Sequence, residues 1–247
     1  MIEILIIILF AAMQSVFGIG ILFFGTPTLI LLGYPFVETL AVVLPASLAV
    51  SLLQVVRGTL PKLRWRRRFT VYCITPLSLM LGASLWWQWQ VELELIIACT
   101  LFLYVLIRIS PNLHTHLREF VRQHKKLWLA VIGAIHGVSN LGGGLLAIFA
   151  SNSFDDKIVI RDHIAFCYLC FAGIQLSVLA VMTPYVINWM QFVYAAIGGA
   201  VFMVCEHKIF HSISLSAFDR AFTIIIGSYS VLVFLKLLGV FGTVFSV

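Results

Sequence analysis

Polar side chains are scarce in this chain, and several of them interrupt its most apolar stretches. Gln14 and Ser15 follow the run "IEILIIILFAAM", and His136, Ser139 and Asn140 close the run "LWLAVIGAIHGVSN". A polar group inside a membrane-spanning segment is expensive and normally faces the bundle interior or a pathway. The types present are amides, hydroxyls and an imidazole, all able to donate hydrogen bonds, and donors of this kind suit the oxygens of a small oxyanion. Ser47, Ser51 and Gln54 recur at the spacing of one helical face. Gln175 falls at a similar depth in the second half of the chain. These groups could line a path for such an anion, or they could bond to one another between helices.

Helix breakers cluster beside them. "FGIGILFFGTP" (17–27) contains Gly18 and Gly20, and "NLGGGLLAIFA" (140–150) contains Gly142, Gly143 and Gly144. Each glycine inside a helix forfeits roughly 1 kcal/mol relative to alanine. Close helix packing and simple kinks both accommodate glycine in lipid. A third reading is a pair of broken helices whose free N–H groups and positive dipole ends meet a bound anion. Matched interruptions in two halves of a membrane protein point to a substrate site between them.

The elements that would hold these residues follow from composition. Of 247 residues, 62% are hydrophobic and only 11% charged, and mean hydropathy is +1.07. A soluble domain cannot hide that much apolar surface, so the class is an all-α polytopic membrane protein. Apolar segments run over 2–24, 27–56, 69–88, 92–109, 127–150, 164–183, 187–205 and 221–240, which predicts roughly seven to eight helices. The opening lacks a basic stretch ahead of its apolar run and is read as a retained first helix. The net charge of +6 would by itself suit nucleic acid, but it is concentrated in short loops, where topology explains it.

Those loops are 57–68, with Arg57, Lys62, Arg64, Arg66, Arg67 and Arg68, and 108–126, with Arg108, Arg118, Arg122, Lys125 and Lys126. The positive-inside rule places both in the cytoplasm and the intervening turn "WQWQVE" outside, with Trp86, Trp87 and Trp89 at the outer interface. "AAMQSVFGIG" (11–20) lies over "GAIHGVSNLG" (133–142), so that Gln14 faces His136. The chain thus divides into a membrane repeat over 1–126 and another over 127–247. The counterpart of the basic 57–68 loop, "TPYVIN", has no Lys or Arg. That charge reversal favours inverted repeats, each containing a broken or re-entrant helix.

The remaining ionisable groups offer fewer leads. Arg161 could face an anion with its planar fork, or be a loop charge paired with Asp155, Asp156 or Asp162. Glu38, His136, Asp162 and His163 are candidates for taking up a proton in a coupled cycle. Cys167 and Cys170 form a CxxC on an apolar helix without further ligands, so no metal and no cofactor is expected. His114 with His116, and His207 with His211, are read as solvated. His136 and Ser139 could share a helical face as a hydrolase dyad, but no third member is evident. No phosphate-binding loop signature appears.

The pattern G-x-G-G-G-x-L-x-x-P, followed by a helix bearing A-V-x-x-S, resembles the sulfite exporter TauE/SafE family. Here it reads "FGIGILFFGTP" with "LAVVLPASLAV" (40–50), and "NLGGGLLAIFA" with "IAFCYLCFAG" (164–173). Ile21 and Leu22 replace two glycines of the first motif, while Asn140 and Phe149 replace a glycine and the proline of the second. The resemblance implies a carrier, and an exporter, of a small sulfur-containing anion across the bacterial inner membrane. A sulfonate such as sulfoacetate, or sulfite, would be its substrate. Thiosulfate or other small-anion uptake is the alternative. The expected partners are that anion and the membrane lipids, not nucleic acid; a homodimer stays open.

Overall fold

The computed structural model describes residues 1–87, 123–206 apart from 155, and 215–237, with isolated positions between 99 and 121. Among the described residues the fold is helical throughout, with no strand. We number the helices α1 (Ile2–Phe17), α2 (Ile21–Leu31), α3 (Phe36–Arg57), α4 (Leu63–Trp86), α5 (Lys125–Ser139), α6 (Gly142–Ser153), α7 (Lys157–Met182), α8 (Met190–Cys205) and α9 (Leu215–Leu237). Among the described residues, α3, α4 and α7 are long and apolar enough to cross a membrane. The helical membrane class expected from composition is therefore what is seen.

The packing follows from small residues. α3 lies against both α7 and α8. Gly198 of α8 sits so close to Ala46 that an added Cβ would stand 2.8 Å from the Ala46 carbonyl oxygen. α4 and α5 run side by side in the same direction, with Gly133 beneath the Cys73 carbonyl and Gly137 beside that of Leu77. Without water to squeeze out between spans, such close backbone approach is the main source of attraction between helices in lipid. Close packing thus accounts for Gly133, Gly137 and Gly198.

Two pairs of short helices fold back on themselves. α1 starts with Glu3 beside Tyr194 of α8, the tyrosine hydroxyl donating to the carboxylate at 2.5 Å. It ends with Gly18 against Arg161 and Ile164 of α7. α2 then returns, stacking Phe24 on Phe10 with ring centroids 5.7 Å apart, and delivers Tyr34 back to Glu3. α5 and α6 do the same from the opposite end. Lys126 lies over the Tyr72 ring, the Trp128 indole donates to the Leu145 carbonyl across the pair at 3.3 Å, and Phe154 finishes against His163.

Three expectations need correction. The basic stretch 57–68 is not all loop, because Arg64, Arg66, Arg67 and Arg68 ride on the first turns of α4. Straight-chain basic residues are good helix formers, and their heads reach water while the helix continues below them. The stretch 157–163, ahead of the apolar segment 164–183, is helical too. Asp156 caps α7 by accepting from the Ile158 and Val159 N–H groups, so the helix starts well before the apolar run. Arg161 is consequently a buried helical residue, not a loop charge, and Glu206 is one of its partners. Trp86 and Trp87 are exposed. Trp89, Arg108, Arg118, Arg122, His114, Asp155, His207 and His211 lie outside the described residues.

Candidate functional site

α1 stops because Gly18 turns left-handed, at φ 77°. Its N–H closes the helix on the Gln14 carbonyl at 2.8 Å. Gly20 is compressed against the turn it leaves, where an added Cβ would collide with the Phe10 carbonyl and the Gln14 backbone. The buried Gln14 side chain then spans the gap. Its amide nitrogen donates to the Ser47 and Ser51 hydroxyls at 3.1 and 3.0 Å, and its oxygen accepts the Ile21 N–H at 3.1 Å. Gln54 donates to the Gln14 carbonyl at 2.9 Å. The polar face of α3 is therefore spent on mending the first break. Ser15 is spent too, donating to the Ala11 carbonyl of its own helix at 2.6 Å.

The second break repeats the device with different chemistry. Asn140 is left-handed, at φ 60°, the only non-glycine residue with positive φ among those described. Asparagine tolerates this region better than most residues, which explains how it stands where the motif has glycine. Its N–H closes α5 on the His136 carbonyl at 2.8 Å, and its side-chain amide donates to the Thr26 hydroxyl of α2 at 2.7 Å. The interrupted helices of the two halves thus touch directly. α6 starts at Gly142, whose Cβ would stand 2.6 Å from that of His136, and Gly143 is pressed against the Tyr168 hydroxyl. The glycine run lets the start of α6 seat on these two side chains.

His136 and Gln175 differ from the first-half set. His136 is fully buried and stacks on Phe171 with centroids 4.1 Å apart. Gln175, also fully buried, faces the imidazole. Although the two approach, neither ring nitrogen of His136 and neither amide atom of Gln175 completes a hydrogen bond of acceptable geometry. Among the described residues they are the two whose paired side-chain polar atoms are all orphaned in this way. Ser139 donates to the Ile135 carbonyl at 2.8 Å and makes no bond to His136, so the hydrolase dyad is not formed.

Charge gathers at the two ends. Arg57 pairs with Glu206 at 2.6 Å and Arg161 with the other Glu206 oxygen at 3.3 Å. Beside them Asp162 accepts from the backbone N–H and hydroxyl of Thr59, at 2.7 and 2.8 Å, and so ties α7 to the end of α3. His163 bonds the Val159 carbonyl and packs edge-on to Trp65. Glu38 lies at the opposite end, in an open cavity of about 310 Å³ that it shares with Glu3, Tyr34 and Tyr194. Burial and the adjacent Glu3 carboxylate raise the Tyr34 phenol above its ordinary value, so it stays neutral and able to donate. Of the groups considered for proton uptake, Glu38 is thus far from Asp162 and His163. Among the described residues no trio of His, Cys, Asp and Glu is arranged to hold a metal.

The structure brings Gln14, Ser47, Ser51 and Gln54 together at one break, and His136, Asn140, Gly142 to Gly144 and Gln175 at the other. Arg161 borders the first break through Gly18 but is held by Glu206. Sequence reasoning passed over Thr26, Tyr168 and Glu206. Tyr168 had a signal, since Arg161, Tyr168 and Gln175 stand at heptad spacing down α7 and all three are buried. Comparison with known proteins adds one result. A family model described as sulfite exporter TauE/SafE matches residues 3–236. No curated protein and no solved structure matches.

Proposed function

The chain belongs to the sulfite exporter TauE/SafE family, and from that premise we propose that it is a secondary transporter exporting a small sulfonate or sulfite across the bacterial inner membrane by alternating access. The α1–α2 and α5–α6 pairs act as re-entrant hairpins of two inverted repeats, entering from opposite faces. The end carrying Arg57, the basic turns of α4 and Lys126 is the cytoplasmic face, as the positive-inside rule requires. The end carrying Glu3, Glu38 and Tyr194 faces outward.

The observation that carries this reading is the contact between the two breaks, the Asn140 amide on the Thr26 hydroxyl at 2.7 Å. Irregular backbone at membrane depth is tolerated where it is buried in protein or lines a pathway. Two such interruptions meeting between repeats form the arrangement that carriers use to hold a substrate.

Flux measurement tests the reading. Purified protein in liposomes should carry labelled methanesulfonate or sulfite down an imposed gradient, while protein-free liposomes do not. Wild-type protein that neither carries nor binds either anion would remove it.

A further inference from the structure

Resting on that reading of the chain as a small-anion carrier, we propose that His136 and Gln175 form the oxyanion subsite, and that it takes singly charged sulfur oxyanions, R–SO3⁻ or hydrogen sulfite, in preference to dianions. The first-half polar residues, Gln14, Ser47, Ser51 and Gln54, serve the fold instead.

Hydrogen-bond accounting separates the two sets. Every buried polar group without a partner costs the desolvation of that group, and more so in a membrane interior. Both polar atoms of the Gln14 side chain are bonded within the protein, to Ser47, Ser51 and Ile21, and Gln54 donates to the Gln14 carbonyl. His136 and Gln175 carry the same burial and meet only each other, short of a hydrogen bond of good geometry. Two fully buried polar side chains that are served by nothing but one another are available to a guest. Their neighbours suit an oxyanion. The Gly142 start of α6 packs on His136, so the positive end of that helix dipole lies at the same place. The Tyr168 ring lies 6.4 Å from the imidazole, centroid to centroid, and its hydroxyl stands on Gly143.

Charge counting sets the class of guest. The cost of burying an ion rises with the square of its charge. Gln175 is neutral, and His136 supplies at most one positive charge. Arg161 lies two heptads up α7, about 21 Å along the axis from Gln175, and is engaged by Glu206. A monoanion can therefore be neutralised or held by dipoles, whereas a dianion keeps at least one uncompensated charge in the interior. Sulfoacetate, with a sulfonate and a carboxylate, falls on the disfavoured side. A subsite built from dipoles, without a fixed salt bridge to break, also suits a carrier that must release its cargo.

The test uses the full chain in detergent, with methanesulfonate as the monoanion and ethane-1,2-disulfonate as the dianion. Methanesulfonate should raise the melting temperature of the wild type, and the disulfonate should bind at least about tenfold more weakly. The shape-conserving variants His136→Phe and Gln175→Met should lose methanesulfonate binding at least about tenfold. Their ligand-free melting temperatures should hold or rise, because orphaned buried groups have been removed. If either variant fails to fold, Gln175→Glu keeps the side-chain shape and should lose binding by charge repulsion. Variants that bind methanesulfonate as the wild type does, or a wild type that binds the disulfonate equally well, would overturn the subsite while liposome flux leaves the carrier reading intact. A wild type that binds and carries no anion would overturn both.

Discussion

The side-chain amide of Asn140 donates to the hydroxyl of Thr26 across 114 positions of sequence, at 2.7 Å and fully buried. One bond thereby joins the end of α5 to the middle of α2. It couples two broken helices that would otherwise meet only through apolar contact. Asn140 holds a left-handed backbone and this bond at once, and the two contributions can be separated. Asn140→Gly keeps the backbone freedom and loses the bond, an expected cost of about 1 kcal/mol. Asn140→Ala loses both, an expected cost of about 2–3 kcal/mol. Unfolding of the purified variants in mixed micelles measures the order, and an alanine variant as stable as the glycine variant would contradict it.

Gly143 is required because Tyr168 occupies the space a side chain would need. Gly143→Ala should collide with the Tyr168 hydroxyl and destabilise the fold by about 1–3 kcal/mol. Tyr168→Phe, which removes that hydroxyl, should recover much of the loss in the double variant. Gly227, with open space around its Cβ direction in α9, is the control. Gly227→Ala should be neutral or stabilising by about 0.5–1 kcal/mol. Folded yield and melting temperature of the four proteins check the pattern.

Gln14 and Ser47 share a bond but not its importance. Gln14→Leu strands the Ile21 N–H and two hydroxyls in the interior, with an expected cost of about 1–3 kcal/mol. Ser47→Ala leaves Gln14 bonded to Ser51 and Ile21 and should cost under about 1 kcal/mol. Micelle unfolding should show the first variant clearly weaker than the second. Equal effects would mean that the hydrogen bonds at the first break are not what mends it.

Glu206 holds two arginines of unequal exposure. The Arg57 side chain is 41% exposed, that of Arg161 only 6%. Removing Arg57 (Arg57→Gln) leaves Glu206 paired with Arg161 and should cost under about 1 kcal/mol. Glu206→Gln deprives the buried Arg161 of this carboxylate and should cost about 1–3 kcal/mol. Raising salt should weaken the Arg57 contribution and leave that of Arg161 nearly unchanged. A Glu206→Gln protein of wild-type melting temperature would contradict the assignment.

What the sequence determined by itself was whatever depends on residues near one another in the chain. Hydropathy sums locally, so the helical membrane class could be read directly, and the family follows from motifs along most of the length. Helix breaks are also local: Gly18 stood among the breakers of the first interruption, whereas the second falls on Asn140, just ahead of the glycine run that drew attention to it. Helix starts were less legible. Asp156 begins α7 ahead of the apolar signal, and the arginines of α4 look like loop until the helix beneath them is seen.

Tertiary structure alone decided which polar groups are spent on the fold. Gln14 and His136 each lie four residues before a left-handed helix end, yet Gln14 is fully bonded while neither ring nitrogen of His136 completes a hydrogen bond of good geometry. The difference lies in what stands opposite: Ser47 and Ser51 before Gln14, Phe171 and Gln175 before His136. Arg161 likewise looks free to meet an anion until Glu206, from another helix, is placed against it. A hydrogen bond or ion pair depends on separation and direction across helices, and neither quantity is written in the spacing of residues along a single one.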